Sequence, residues 1–183
     1  MVTGKGKQNN QFNLQDLTIR PAIQTDLPAI TEIFNHAIKH TTASFYAEPR
    51  TIQQRTSWLD QRTSRYAVIS AVWQPAEAAA QQVVGWASLE PWTEKHGYRI
   101  TSEISYYVDP NYQGQGIGRR LLEQLIEVAK ENDFKNLLAK ICEDNIGSLK
   151  LADRLQFEKV GTLKSIGEKF DRSYDVHYFQ KRL

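Results

Sequence analysis

The chain has 183 residues, and 40% of them are hydrophobic. This length suits one domain with a substantial core and leaves no room for a second domain. The formal net charge of +2 excludes a strong electrostatic preference for nucleic acid or membrane surfaces and favours small-molecule partners. No apolar run approaches the ~20 residues that span a bilayer, and the N-terminus lacks the apolar core of a signal peptide, so we expect a cytoplasmic protein.

Residues 1–16 differ in composition from the rest of the chain. They are rich in glycine, lysine, asparagine and glutamine, and they offer too little apolar surface to order themselves. We therefore predict a flexible N-terminal tail followed by a single domain over residues 17–183. The one cysteine, Cys142, has no partner for an internal disulfide and lies in an apolar run that predicts a buried strand.

Strand and helix patterns alternate along this domain. Apolar residues at helical spacing, beginning with Leu27, Ile30 and Phe34, predict a first helix that Asp26 caps. Strands with intervening helices imply a mixed α/β sheet. The predicted elements, in chain order, are a strand at 17–21, helices after residue 26 and at 52–62, strands at 66–72 and 83–89 joined by a polar hairpin loop at 74–82, a strand at 101–108, a helix from 117, a strand at 137–141, a helix at 145–155, and strands at 160–165 and 175–180.

A glycine-rich loop between the strand at 101–108 and the following helix carries the clearest chemical signal. Glycines let a backbone approach a ligand closely, and the first amides of a helix have no intrahelical partners and can bind an anion. We therefore interpret the loop as a cradle for a pyrophosphate, with a ligand-free glycine turn as the alternative. The loop consists of Gln113, Gly114, Gln115, Gly116, Ile117, Gly118 and Arg119.

Two other phosphate-binding motifs fit this loop less well. A P-loop ends in Gly-Lys-Ser/Thr, whereas this loop ends in Gly118-Arg119-Arg120. A dinucleotide fingerprint needs Gly-x-Gly-x-x-Gly, and here the third glycine comes one residue early. The remaining pattern is Gln/Arg-x-x-Gly-x-Gly/Ala after a strand that ends in Val-x-Pro, which resembles the acetyl-CoA signature of the GCN5-related N-acetyltransferases (GNAT).

The resemblance covers residues 17–183 and is closer to one subgroup of that superfamily. The predicted order βααβββαβαββ matches the GNAT fold, an α/β fold with a mixed central sheet flanked by helices. The resemblance implies acetyl-CoA as cosubstrate, the free α-amine of a small amino-acid analogue as acceptor, and a homodimer as a plausible assembly. The motifs that resemble the phosphinothricin and methionine sulfoximine acetyltransferases are Asn35-His36, Thr42-x-x-Phe45, Glu48-Pro49, Trp92, residues 98–103 and Asn145-x-x-Ser148.

The resemblance assigns three parts of the chain to acetyl-CoA. The strand segment Tyr106-Tyr107-Val108 diverges from its neighbour and hydrogen-bonds the pantetheine arm, and the amides of residues 113–119 hold the pyrophosphate. Within that loop, Arg119 adds a charge-assisted contact or stays solvated. Asn145 and Ser148 contact the cofactor arm from the next helix. Both residues are also N-cap types, and the two roles are compatible.

Acetyl transfer to an ammonium group needs a base, because only the deprotonated amine attacks a thioester. Glu103 matches the subgroup's glutamate on the strand that leads to the cofactor loop, and it is our candidate. The alternative is a strand-end glutamate that faces solvent or pairs with Arg99. Negative charge develops on the carbonyl oxygen during the reaction, and backbone amides are common donors to such charge. The Val108 amide is the predicted donor.

The acceptor's carboxylate and polar head need cationic or hydrogen-bonding partners. The loop at 92–99 offers Lys95 and Arg99, with Thr93 beside them, unless these are only solvated loop residues. Phe45 and Trp92 are predicted to wall the pocket, although an aromatic residue in an α/β domain is more often part of the core. The four histidines and one cysteine show no metal-ligand spacing, so no metal site is predicted.

Two positions depart from the family pattern. Ala152 stands where related chains carry a tyrosine or histidine that can protonate the leaving thiolate, so this proton must come from solvent, from the base or from a tyrosine elsewhere. Gln156 stands where the superfamily prefers glycine, at a cost on the order of 1 kcal/mol if its φ is positive. An acetyltransferase with another amine acceptor and a non-catalytic acetyl-CoA sensor remain as alternative functions.

Overall fold

The computed structural model of the protein describes residues 12–75 and 80–183. Within these residues, one sheet of seven strands carries helices on both faces. The strands are β1 (Leu17–Pro21), β2 (Val68–Trp73), β3 (Gln82–Pro91), β4 (Thr101–Val108), β5 (Asn136–Cys142), β6 (Glu158–Lys169) and β7 (Arg172–Arg182), and the helices are α1 (Leu27–His40), α2 (Ile52–Asp60), α3 (Ile117–Glu131) and α4 (Ile146–Arg154).

The strands lie in the spatial order β1-β2-β3-β4-β5-β7-β6. Every neighbouring pair is antiparallel except β4 and β5, which are parallel. A parallel pair needs a crossover connection, and α3 supplies it between β4 and β5. This crossover places the glycine loop at the carboxyl end of β4, beyond the three residue pairs that join β4 to β5.

The predicted order βααβββαβαββ is confirmed, and several predicted boundaries shift. The helix predicted at 52–62 ends at Asp60, and the two final strands are longer than predicted, because they form one long hairpin at the sheet's edge. β2 ends at Trp73 and β3 begins at Gln82. The middle of the hairpin loop predicted at 74–82 lies outside the described residues. No helix of the described residues is long and apolar enough to cross a membrane.

Each face of the sheet has its own core. On one face, α3 buries a stripe that includes Ile117, Leu121 and Leu125 against β3 and β4, and α4 adds Ala152. On the other face, α1 packs Ile30, Ile33 and Phe34 against Trp86 of β3. Fully burying each such side chain stabilises the fold by about 1.5–3 kcal/mol. The two cores fix β3 and β4 from both sides and so hold the centre of the sheet in place.

Asp26 does not cap α1 as predicted, because its side chain makes no hydrogen bond to the helix amides. Its carboxylate instead accepts two hydrogen bonds from the Arg20 guanidinium, at 2.7 and 2.8 Å, one from the Ile23 amide and one from the Ser70 hydroxyl. Burial alone would raise the pKa of Asp26, but these donors outweigh it and lower the pKa. Asp26 therefore ties the start of α1 to β1 and β2.

The predicted tail is wrong at its C-terminal end. Phe12 packs against Trp73 and Tyr112, with ring centroids 5.5 and 5.6 Å away, and residues 14–16 form a short 3₁₀ turn that Asn13 caps. These aromatic contacts supply the apolar surface that the prediction missed in residues 12–16. Residues 1–11 of the predicted tail lie outside the described residues.

Candidate active site

A cleft opens in the sheet where β4 and β5 separate. The two strands pair only at Thr101↔Asn136, Ser102↔Leu137 and Glu103↔Leu138, although β4 continues to Val108 and β5 to Cys142. Beyond Glu103, the facing backbone edges of both strands are open to a ligand. The divergence predicted for the segment 106–108 is therefore present in the structure.

The Val108 amide points into this cleft. The N–H of Asp109 donates to the carbonyl of Val84 on β3 at 2.9 Å. Because successive residues of a strand direct their N–H groups to opposite edges, the Val108 N–H points away from β3 and toward β5. The Val108 carbonyl lies on the same side and accepts a hydrogen bond from the Gln113 side chain at 3.3 Å. The geometry allows the Val108 amide to donate to a carbonyl oxygen in the cleft.

The glycine loop presents backbone to the end of the same cleft. Gly114 and Gly116 have φ values of +75° and +86°, which favour glycine, and Gly116 is the N-cap of α3. No atom lies within 4 Å of the position that a Cβ of Gly114 would occupy, so a ligand can approach there. Ile117 is buried and anchors the start of α3, whose first amides have no intrahelical partners. These features suit a pyrophosphate.

The neighbours of the glycine loop are also placed at the cleft. Gly118 lies against the Tyr106 ring, since a Cβ at Gly118 would come within 3.1 Å of it. The Tyr106 hydroxyl lies 2.8 Å from the Ser148 hydroxyl of α4. Asn145 caps α4 by accepting from the Ser148 amide at 3.1 Å. Arg119 pairs with Glu123 at 2.7 Å on the exposed surface of α3, and its contact with the cofactor stays a prediction.

A cavity of about 880 Å³ includes this cleft, and its wall contains residues of α1, α2 and the β6–β7 hairpin as well as residues of α3 and α4. Glu103 lies in its wall and is half-buried, and its carboxylate pairs with Lys140 of β5 at 2.9 Å. The partner is Lys140 and not the predicted alternative Arg99. Tyr106, Tyr107, Asn145 and Ser148 also line the cavity, so the candidate base and the cofactor cleft share one space.

Glu90 is a second carboxylate in the cavity wall, and the sequence interpretation missed it. It lies directly opposite Glu103 in the β3–β4 register. Both carboxylate oxygens of Glu90 accept hydrogen bonds from Nη1 of Arg62, at 3.0 and 2.9 Å, and the Ser88 hydroxyl donates a further one at 2.9 Å. Glu90 is therefore committed to structural partners, whereas Glu103 has one partly exposed lysine. Among the described residues, the Glu103 carboxylate has fewer partners than that of Glu90, which leaves more of its hydrogen-bonding capacity for an acceptor.

Arg55 of α2 is a further residue in the cavity wall that the sequence interpretation did not identify. Its side chain is buried, and its guanidinium lies 3.6 Å above the Trp58 ring. Burial lowers the pKa of Arg55 to about 10, so the group still carries its charge at neutral pH. The sequence signal is an arginine three residues before a tryptophan, a spacing that puts both on one helix face but does not by itself distinguish a buried arginine from a solvated one.

The predicted acceptor residues divide into two groups. Phe45 lines the cavity, where its ring lies against Gly167 of β6. Trp92 is half-buried next to the cavity, with Lys140 over its ring at 5.7 Å. Thr93 accepts a hydrogen bond from the Lys95 amide, and the Arg99 carbonyl accepts one from Arg65. Lys95 and Arg99 are exposed on the loop before β4, outside the cavity wall, and their contact with an acceptor stays a prediction.

The structure also locates the two departures from the family pattern. Ala152 is buried in the cavity wall and has no proton to donate. Gln156 has a φ of 58°, which is the positive value that makes glycine preferable at this position. Among the described residues, no group of three or more histidine, cysteine, aspartate or glutamate side chains is arranged to hold a metal ion.

Comparison with known proteins agrees with this geometry. The pattern of the Acetyltransferase (GNAT) family matches residues 30–157, which include the diverging strands, the glycine loop and α4. The chain belongs to the GNAT family of acetyltransferases. It is 36% identical to an L-methionine sulfoximine/L-methionine sulfone acetyltransferase of Pseudomonas aeruginosa, over 91% of this chain and 94% of that protein.

Two solved structures extend the comparison. A GNAT superfamily phosphinothricin acetyltransferase from Sinorhizobium meliloti, in complex with acetyl-CoA, is 28% identical, with a TM-score of 0.84 over 92% of this chain and 89% of that one. A ribosomal-protein-alanine N-acetyltransferase from Brucella melitensis is 40% identical, with a TM-score of 0.83 over 91% and 99% of the two chains. Acetyl-CoA is the cosubstrate of this GNAT enzyme, and the open β4 edge and the free approach to Gly114 fit it.

Proposed function

We propose that this GNAT enzyme acetylates the free α-amine of a small amino-acid analogue such as phosphinothricin or methionine sulfoximine. The observation that carries the proposal is the shared cavity, in which a carboxylate, a buried arginine and several aromatic rings adjoin the acetyl-CoA cleft. A cavity of about 880 Å³ is of a size usual for small-molecule sites. The similarity to acetyltransferases of phosphinothricin and of methionine sulfoximine supports the same acceptor class.

In this proposal, Glu103 accepts the proton of the acceptor's ammonium group, directly or through a water. The neutral amine then attacks the acetyl carbon in a ternary complex, and the new C–N bond replaces the C–S bond. The nitrogen releases its second proton to solvent, and the Val108 N–H stabilises the charge on the carbonyl oxygen. Acetyl-CoA supplies the activated acetyl group. Its pyrophosphate is held by the amides of residues 113–119, and its pantetheine arm lies along Tyr106, Tyr107 and Val108, with Asn145 and Ser148 facing it from α4.

We assign the proton for the departing thiolate to Tyr106. Ala152 cannot supply it, whereas the Tyr106 hydroxyl lies in the cavity wall, and burial raises its pKa, so it is protonated at neutral pH. Tyr106→Phe should lower kcat on the order of tenfold, less than the usual 10²–10⁴-fold of general acid–base catalysis, because a thiolate is a stable leaving group. Tyr112→Phe, whose hydroxyl contacts Gln82 away from the cavity, is the matched control. Equal kcat values for the two variants would exclude Tyr106.

The similarity to the Brucella melitensis enzyme supports a second candidate acceptor, the N-terminus of a protein. The acceptor side of the cavity argues for the smaller molecule. Lys169 at the end of β6 donates to the carbonyls of Thr41 and Ser44, at 2.5 and 2.6 Å, and so ties the loop that carries Phe45 to the β6–β7 hairpin. We expect this tie to restrict a polypeptide acceptor more than a single amino acid.

The acceptor is tested by following thiol release from acetyl-CoA with a panel of amines. The panel contains phosphinothricin, methionine sulfoximine, methionine sulfone, ordinary amino acids, spermidine and a peptide that begins with alanine. We expect saturable turnover of the amino-acid analogues and none of the peptide. Turnover of the peptide alone or of spermidine alone would show that the acceptor belongs to another class of amine. Acetyl-CoA binding with no turnover of any amine would support a sensor.

We also propose that the protein is a homodimer. The edge strand β6 exposes three apolar side chains, those of Val160, Leu163 and Ile166, which are 52%, 43% and 56% accessible. Apolar residues on an exposed edge strand favour contact with another chain. Light scattering on the purified protein should give the mass of two chains, and a mass of one chain at the concentrations used for catalysis would contradict the proposal.

A further inference from the structure

Arg55 holds its charge in an unusual setting. Its side chain is only 5% exposed, and its guanidinium lies 3.6 Å from the ring centroid of Trp58, 4.8 Å from that of Trp86 and 5.0 Å from that of Phe34. Stacking on aromatic faces stabilises a buried guanidinium. It does not satisfy the N–H groups, which lie in the plane of the guanidinium and need acceptors at its edge.

The Arg55 guanidinium lacks such acceptors among the described residues. Its Nε and Nη2 atoms are buried and have no hydrogen-bond partner in the part of the chain that the structure describes. Glu90 is the carboxylate whose charge acts on Arg55, but the oxygens of Glu90 already accept from Arg62 and Ser88. A buried polar group without a partner is unusual in a folded protein and calls for an explanation such as a ligand.

Arg65 shows what a structural arginine in a similar setting looks like. Its guanidinium lies 4.5 Å from the Phe134 ring centroid, and its Nε is also buried without a partner among the described residues. However, Nη2 of Arg65 donates to the Arg99 carbonyl at 2.9 Å, and the residue is not part of the cavity wall. Arg55 differs because it lines the cavity, beside Tyr107, Glu90 and Glu103.

We propose that Arg55 binds an acidic group of the acceptor that carries two equivalent oxygens. A guanidinium fork donates two parallel hydrogen bonds to such a group, and the surrounding rings exclude water and strengthen them. The proposed acceptors carry two groups that could present such oxygens, the α-carboxylate and the tetrahedral side-chain head. The inference rests on the proposed function, since it assigns a part of the same acceptor to a residue of the same cavity.

The test measures KM for three acceptors at saturating acetyl-CoA, with wild type and Arg55→Gln. The acceptors are phosphinothricin, its α-carboxamide, which lacks the carboxylate, and 2-aminobutyrate, which lacks the head. We expect Arg55→Gln to raise KM for phosphinothricin by about 10–100-fold, as the loss of a charged hydrogen bond does. The same rise in KM should persist for one truncated acceptor and disappear for the other. The acceptor for which it disappears lacks the acidic group that Arg55 binds. KM for acetyl-CoA should not change.

Arg65→Gln is the matched control and should leave all three KM values unchanged. Arg55→Lys keeps the charge without the fork and should also raise KM for phosphinothricin, so the test holds even if Arg55→Gln does not fold. An equal change for all three acceptors, or no change in either Arg55 variant, would overturn the inference while leaving the proposed function intact. A wild-type enzyme that acetylates none of the three would overturn both.

Discussion

Side chains that look alike in the sequence differ in their surroundings at the site. Glu103 and Glu90 are cross-strand neighbours, yet Glu90 is bound by Arg62 and Ser88, whereas the Glu103 carboxylate pairs with Lys140 alone among the described residues. The Lys140 side chain of this ion pair is 40% exposed, so the pair is partly solvated and contributes little, about 0–1 kcal/mol. The number of partners, and not the residue type, separates the candidate base from a structural carboxylate.

Gln156 adopts a left-handed backbone conformation that is strained for a residue other than glycine. α4 ends in a Schellman motif, in which the Phe157 amide donates to the Ala152 carbonyl and the Gln156 amide to the Asp153 carbonyl, both at 2.9 Å. α3 ends in the same way, with Asp133 at a φ of 60° in the corresponding position. The two helix ends thus differ mainly in the residue that adopts the left-handed conformation.

Replacing Gln156 by glycine should stabilise the protein by about 0.5–1 kcal/mol. This is the left-handed strain that is removed, less the entropy that glycine loses on folding. Thermal unfolding should show a rise in Tm of about 1–4 °C for a domain of this size. Asp133→Gly is the matched control and should gain less, because aspartate tolerates the left-handed region better. A lower Tm for Gln156→Gly than for wild type would contradict this account.

At the scale of elements, the β6–β7 hairpin covers the acceptor side of the cavity. Gly167 of β6 allows this, since a Cβ there would lie 2.5 Å from Cε1 of Phe45. Gly161 of the same strand has no atom within 4 Å of the corresponding position. Lys169 holds the loop that carries Phe45 against the hairpin, so the two can move apart only if these hydrogen bonds break.

Gly167→Ala should therefore change the acceptor site and spare the cofactor site. The added methyl group displaces the Phe45 ring, and we expect KM for the acceptor to rise by about 5–10-fold, at the lower end of what overpacking causes. KM for acetyl-CoA should stay constant, since the glycine loop is on the other side of β4. Steady-state kinetics of Gly161→Ala provide the control. An equal effect of both alanine variants would show that the contact with Phe45 is not responsible.

At the scale of the whole molecule, local patterns predicted the elements but not their neighbours. Helical spacing after Asp26 and from Ile117, and strand patterns elsewhere, were sufficient for the order βααβββαβαββ. The insertion of β7 between β5 and β6 depends on contacts between distant segments, which no local period reports. The same limit explains why residues 12–16 were placed in the tail, because Phe12 is ordered only by distant aromatic rings.

In the candidate site, too, local sequence patterns identify some residues, and contacts between distant segments determine the others. The glycine loop and Gln156 could be identified from the sequence, because both depend on backbone conformations that particular residues favour. Glu90 could not, since its position opposite Glu103 follows from the β3–β4 register, and Lys140 could not, since it lies on a strand that pairs with β4 only near its start. Arg55 could not be distinguished from a solvated arginine until the rings of Trp86 and Phe34 were placed around it.

The central claim is that Glu103 removes a proton from an amine held next to the acetyl-CoA cleft. The most direct test is kcat for phosphinothricin in Glu103→Gln, measured beside Glu90→Gln. We predict that Glu103→Gln lowers kcat by about 10²–10³-fold with an unchanged KM for acetyl-CoA, as expected for the loss of a general base. Glu90→Gln should affect kcat far less. A Glu103→Gln enzyme that turns over like wild type, or a larger loss of kcat in Glu90→Gln, would contradict the account.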